Sequence, residues 1–203
     1  MNIFLQGLTM GLAYVAPIGM QNLFVINSAL TNKRKRALLT ALIVIFFDIT
    51  LSLACFFGIG TIMQRFKWLQ MVILCVGSLI VIYIGVGLLR SKTKDLEKDQ
   101  ATMSIKKTIS SACVVTWFNP QAIIDGTMML GAFHVTLAAG QETPFITGVA
   151  CASFSWFIGL TFLISLVSSK FNAKVMRWIN VVCGVIIIGY GIKLFVSFVQ
   201  MLL

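Results

Sequence analysis

Six stretches of this chain, residues 3–30, 37–64, 68–89, 107–132, 144–168 and 178–200, are each long and apolar enough to cross a bilayer. A spanning helix takes about 20 mostly apolar residues. The runs are continuous, whereas the strands of a membrane barrel alternate over about 10 residues. Of 203 residues, 59% are hydrophobic and 11% charged, against roughly 25% charged in a soluble domain. No room is left for a separate soluble domain. The start, MNIFLQGLTMG, has no basic leader and no cleavage pattern, so the first span is expected to be retained.

The net charge of +10 could suggest nucleic acid, but the basic residues sit in short clusters between the apolar runs. Lys33, Arg34, Lys35 and Arg36 fill the first loop; Arg90, Lys92, Lys94, Lys98, Lys106 and Lys107 the third; Lys170, Lys174 and Arg177 the fifth. The second loop has Arg65 and Lys67, and the fourth has none. Cytoplasmic loops carry the excess of Lys and Arg. Loops 31–36, 90–107 and 169–177 are therefore expected in the cytoplasm, with both termini outside. Trp68 and Trp178, at span ends beside basic residues, are expected as interface anchors.

The hydrophilic stretch 91–106 divides the chain into a first half, 1–90, and a second, 107–203, of three spans each. An odd number of spans inverts the second half relative to the first. Two marks support a repeat. Pro17 and Pro120 lie 103 residues apart, each well inside the first span of its half, and each is followed five residues later by a polar residue, Asn22 or Asp125. Gly85-Val86-Gly87 is matched 104 residues later by Gly189-Tyr190-Gly191. The predicted fold is an all-α integral membrane protein: six transmembrane helices in one transmembrane domain, 1–203, as two inverted three-helix repeats, with helices 1 and 4 broken mid-span.

Only two of the six acidic residues, Asp48 and Asp125, fall inside spans. A carboxylate at the bilayer centre costs roughly 2.5–3.5 kcal/mol and so normally faces a cavity or a partner. No Lys or Arg lies mid-span near either to pair with it. Thr40, Asp48 and Ser52 form one polar stripe, and Gln121 stands one turn before Asp125. Proline frees a carbonyl one turn earlier, which must find a partner in hydrocarbon. Pro17 and Gly19 mark the first break and Pro120 the second. Gln21, Asn22, Asn119 and Gln121 flank them with donors and acceptors. Broken spans can hold an anionic group at a half-helix N-terminus and a cation at unwound carbonyls. Together with the two acids, that describes a site for a zwitterion, with Gln21, Asn22, Asp48, Asn119 and Asp125 as its contacts. Trp117 and Trp156 could meet a cation through their rings or serve in packing. Gly148, Ala152, Ser155 and Gly159 on one helix, and Gly7 and Gly11 on another, signal close helix contact.

The five cysteines lie inside apolar runs, expected there as buried small side chains, and His134 is the one histidine, placed in an outer loop. No nucleophile–base pair and no metal-ligand spacing occurs, so no catalytic residue, metal or cofactor is expected. A channel would need a continuous polar pore, which two acids do not line.

PIGMQNLFVIN at 17–27, FFDITL at 46–51, TWFNPQAIIDGTMMLG at 116–131 and ASFSWFIGL at 152–160 resemble the lysine/arginine exporter (LysE) family over nearly the whole chain. The resemblance implies a multi-pass exporter of basic amino acids in the bacterial plasma (inner) membrane. Its substrate would be a small-molecule amino acid, with membrane lipids as partners; the basic clusters argue against nucleic acid, and whether the working unit is a homodimer is left open by the sequence. Related exporters of neutral amino acids tend to show Pro-Gly-Pro at the first break and to lack an acid after the second Asn-Pro. Gly19-Met20-Gln21-Asn22 and Asp125 therefore favour a cationic substrate, with a neutral amino acid or another small metabolite as the alternative. Gly126 stands where family members often have threonine. Exporting a cation works against an inside-negative potential, about 2.3 kcal/mol per charge per 100 mV, so coupling to proton antiport through an aspartate is expected.

Overall fold

The computed structural model describes residues 2–58, 66–90, 104–168 and 173–202. All regular structure among them is helical: α1 (Ile3–Val15), α2 (Met20–Thr31), α3 (Arg34–Phe56), α4 (Lys67–Arg90), α5 (Ile105–Trp117), α6 (Pro120–Gly126), α7 (Ala132–Thr136), α8 (Glu142–Ser168) and α9 (Ala173–Leu202). A π-helical turn, Thr127–Gly131, joins α6 to α7. Arg34–Phe56, Glu142–Leu166 and Gly184–Met201 are long and apolar enough to cross a membrane, and the bent pair α1–α2 makes a fourth candidate span. Most of the central hydrophilic stretch, 91–103, lies outside the described residues, as do Arg65 and Lys170.

The first apolar stretch is broken where Pro17 and Gly19 stand. α1 ends at Val15, α2 starts at Met20, and the two are bent by 78°. The fourth is interrupted at Phe118 and Asn119. Pro120 opens α6, where its missing N–H costs nothing, and Asn119 Oδ1 caps Ala122 N at 3.4 Å. α3, the helix of the second stretch, ends at Phe56, where Gly58 turns the chain at φ 98°; the rest of the expected span, 59–64, lies outside the described residues. His134 is not in a loop but in α7, edge-on to Phe56 at 4.7 Å between ring centroids. The cysteines are not uniformly buried: Cys55 is, but Cys151 is exposed. Trp68 and Trp178 are both exposed, as interface anchors would be.

Two close helix pairs frame the molecule. α1 packs along α8 through the small residues expected to do so. A Cβ on Gly7 would overlap the Phe145 carbonyl, and one on Gly11 would lie 2.7 Å from Ala152 Cβ. Gly7 meets Phe145 and Gly11 meets Val149 and Ala152, so the helices run parallel. Ser155 and Gly159 take no part: Ser155 is exposed and nothing lies within 4 Å of a Cβ at Gly159. α4 packs along α9, with Gly85 against Ile188 and Gly191 against Ile82, so these two run antiparallel. α3 lies between α8 and α5, and α2 fills the centre with Met20, Leu23, Phe24 and Val25 buried.

Candidate functional site

The two breaks cross. On one side Gln21, four residues after Pro17, donates from Nε2 to Thr116 Oγ1 at 3.2 Å, four residues before Pro120. On the other, the Tyr14 hydroxyl, three residues before Pro17, reaches the Ala122 carbonyl at 3.4 Å, two residues after Pro120. The arm before each break thus touches the arm after the other.

Asp48 stands at this crossing. Its position on α3 buries it completely, 0% exposed, in the polar stripe that also buries Thr40 and Ser52. Gln21 Nε2 donates to Asp48 Oδ1 at 3.1 Å, and Ser153 Oγ, on α8, donates to Oδ2 at 2.6 Å. Ser52 Oγ, one turn along α3, is buried with no hydrogen-bond partner. Among the described residues neither Asp48 nor Asp125 pairs with a lysine or arginine; the acid–base contact found there is His134 Nε2 with Glu142 Oε1 at 3.8 Å, charged on both sides only when the imidazole is protonated.

Asn22 sits in the elbow of the first break. Its Nδ2 donates to Val15 O at 3.0 Å and Pro17 O at 2.8 Å, carbonyls that the break removes from the helical ladder. Its Oδ1 accepts from the Trp156 indole at 2.8 Å. Trp117 donates to Thr50 Oγ1 at 3.3 Å and packs beside Leu51, Cys55 and Ile123. Both indoles therefore serve as donors that tie α8 and α5 to the elements around the breaks.

Asp125 is differently placed. It is half-buried, and its Oδ1 accepts from the exposed Gln121 of its own helix at 2.8 Å. Tyr14 lies within electrostatic reach of Asp48, Asp125 and Cys55. At Gly126 a Cβ would lie 2.9 Å from Cys55 Sγ and 3.3 Å from the Tyr14 ring, so a threonine has no room there.

Of the residues singled out in the sequence, Gln21 and Asp48 meet directly, Asn22 holds the elbow beside them, Asn119 caps α6, and Asp125 stands apart, bonded to Gln121 of its own helix. Sequence reasoning missed Tyr14, Thr116 and Ser153. Ser153 carried a faint signal: it follows Asp48 by 105 residues, close to the 103 that separate Pro17 from Pro120.

A family profile described as LysE type translocator matches residues 12–197, which include all of these groups. The chain belongs to the LysE type translocator family. Arginine exporter protein ArgO of Salmonella schwarzengrund (strain CVM19633) is 31% identical over 188 residues, covering 90% of this chain and 88% of that relative. ArgO of Klebsiella pneumoniae (strain 342) is similar to the same extent. No solved structure matches the chain. As a LysE type translocator it is a membrane transporter rather than an enzyme.

Proposed function

We propose that this chain exports basic amino acids, arginine or lysine, out of the bacterial cytoplasm in exchange for protons. The observation that carries this is the crossing of two helix breaks around a buried acid that has no cationic partner among the described residues. A buried acid with no described cationic partner at a helix-break crossing suits exchange of a proton against a cation, and relatives similar over nine-tenths of the chain bear the name of arginine exporter.

The substrate carboxylate would meet the open N-terminus of α2 at Gly19 and Met20, where the first backbone N–H groups have no helical acceptor. Its cationic groups would meet the polar set of Gln21, Asn22, Asp48, Asn119 and Asp125. Trp117 and Trp156, hydrogen-bonded to Thr50 and Asn22, would offer their rings to the same cation. Alternating access would come from two inverted halves, each of three spans, rocking about the crossed breaks. The helix directions agree with this: spans one and five run parallel and spans three and six antiparallel, as six alternating crossings require. The basic loops then lie in the cytoplasm and both termini outside.

Cells fed arginine- or lysine-containing dipeptides and assayed for intracellular amino acids test the export reading. Cells expressing the protein are expected to hold less free arginine and lysine than cells without it. Equal accumulation in both contradicts basic amino-acid export and favours a neutral substrate.

A further inference from the structure

We propose that the two intramembrane acids carry different cargoes: Asp48, with Ser153 as its hydroxyl relay, takes the proton, and Asp125 receives the cationic end of the substrate. The assignment rests on the export reading above and separates two groups which that reading treats together.

Burial distinguishes them. Asp48 is fully enclosed, whereas Asp125 is half-buried beside an exposed glutamine. A guanidinium or ammonium that reached Asp48 would have to displace Gln21 or Ser153, each already in contact with one of its oxygens. A proton needs no volume.

The hydrogen bonds around Asp48 can also be rewritten without moving a heavy atom far. In the ionised state Ser153 Oγ donates to Oδ2 at 2.6 Å. The same hydroxyl has a second acceptor, the Val149 carbonyl of its own helix, at 3.4 Å. When Oδ2 gains a proton, its new O–H donates to Ser153 Oγ and the serine hydroxyl turns to Val149 O. Gln21 continues to give one N–H to Oδ1 and the other to Thr116 Oγ1. The hydroxyl of Ser153, the amide N–H groups of Gln21 and both oxygens of Asp48 keep a partner in both states, which is what makes such a buried group tolerable. Ser52 Oγ, unpartnered one turn away, offers a further acceptor on the same face.

Gln21 from α2 and Ser153 from α8 are bonded to Asp48, with Thr116 from α5 reached through Gln21; Tyr14 of α1 and Cys55, two turns along α3, lie within electrostatic reach. Asp125 of α6, bonded to Gln121, is likewise within electrostatic reach of Tyr14. None of these is a permanent cation. In one cycle a proton from outside binds the Asp48 carboxylate and leaves on the cytoplasmic side. One monocationic amino acid leaves the cytoplasm against Asp125. One positive charge enters and one departs.

Asp48→Asn, Asp125→Asn and Ser153→Ala in proteoliposomes with labelled arginine separate the roles. Asp48→Asn presents the bonding pattern of the protonated acid. It is expected to lower efflux driven by a pH gradient at least about tenfold while still catalysing arginine–arginine counterflow, at a rate flat with pH. Asp125→Asn is expected to raise the half-saturating arginine concentration of counterflow about tenfold or more. Ser153→Ala is expected to displace the pH midpoint of driven efflux, which a merely structural serine would leave in place. Loss of counterflow in a monodisperse Asp48→Asn protein, or unaltered saturation in Asp125→Asn, overturns the assignment. If Asp48→Asn does not fold, an unmoved midpoint in Ser153→Ala overturns it. Wild-type vesicles that move no arginine in either assay overturn the export reading itself.

Discussion

Asn22 shows what a broken helix demands of one side chain. Bending the chain by 78° between Val15 and Met20 strips carbonyls of their helical donors in a place where water is scarce. The two N–H groups of Asn22 restore partners to Val15 O and Pro17 O, and its oxygen then takes the Trp156 indole. Replacing Asn22 with Ala leaves two carbonyls and an indole N–H unpaired, at about 1–3 kcal/mol each for a buried group. The purified variant is expected to melt markedly below wild type in detergent, and Trp156→Phe, which removes a single donor, to melt between the two. Equal melting temperatures for all three would show that the elbow does not depend on this amide. The polar character of Gln21 and Asn22 was plain from the chain. Their partners were not, since Trp156 is 134 residues from Asn22 and Thr116 is 95 from Gln21.

At the scale of elements, α1 and α8 are held together by small residues. Backbone touches backbone at Gly7 and Gly148, where an added Cβ would meet a carbonyl oxygen of the other helix. Such a clash cannot be relieved by a rotamer, and overpacking costs about 1–3 kcal/mol or more. Gly7→Ala and Gly148→Ala are therefore expected to lower thermal stability well below that of Gly159→Ala, where a Cβ meets nothing within 4 Å. A ranking in the other order would contradict the close pairing. Half of the small-residue stripe on α8 was legible as a contact and half was not, for a physical reason. α1 ends at Val15, so beyond Ala152 the neighbour of α8 is α2, reached by Trp156 rather than by small residues. The π turn at Thr127–Gly131 left no periodic trace. It follows Gly126, wedged against Cys55 and Tyr14, and has Gly131 3.0 Å from the Cys55 carbonyl as measured from an added Cβ.

For the whole molecule, the pairing of distant residues carries more than any single motif. Apolar length gave the helical class, and the two prolines gave the places of the breaks. Neither could show that the arms cross, because crossing depends on how the two halves dock. The acids differ for the same reason: one sequence pattern, an acid in an apolar run, yields a sealed Asp48 and a half-open Asp125. We infer from their placement an exchange that moves no net charge, drawing on the pH gradient and not on the membrane potential. Arginine efflux from proteoliposomes with each force clamped in turn tests this most directly. Efflux is expected to rise when the outside is made acid at zero potential, and to stay level when the potential is changed at equal pH. Efflux that follows the potential and ignores the pH gradient would contradict proton-for-arginine exchange.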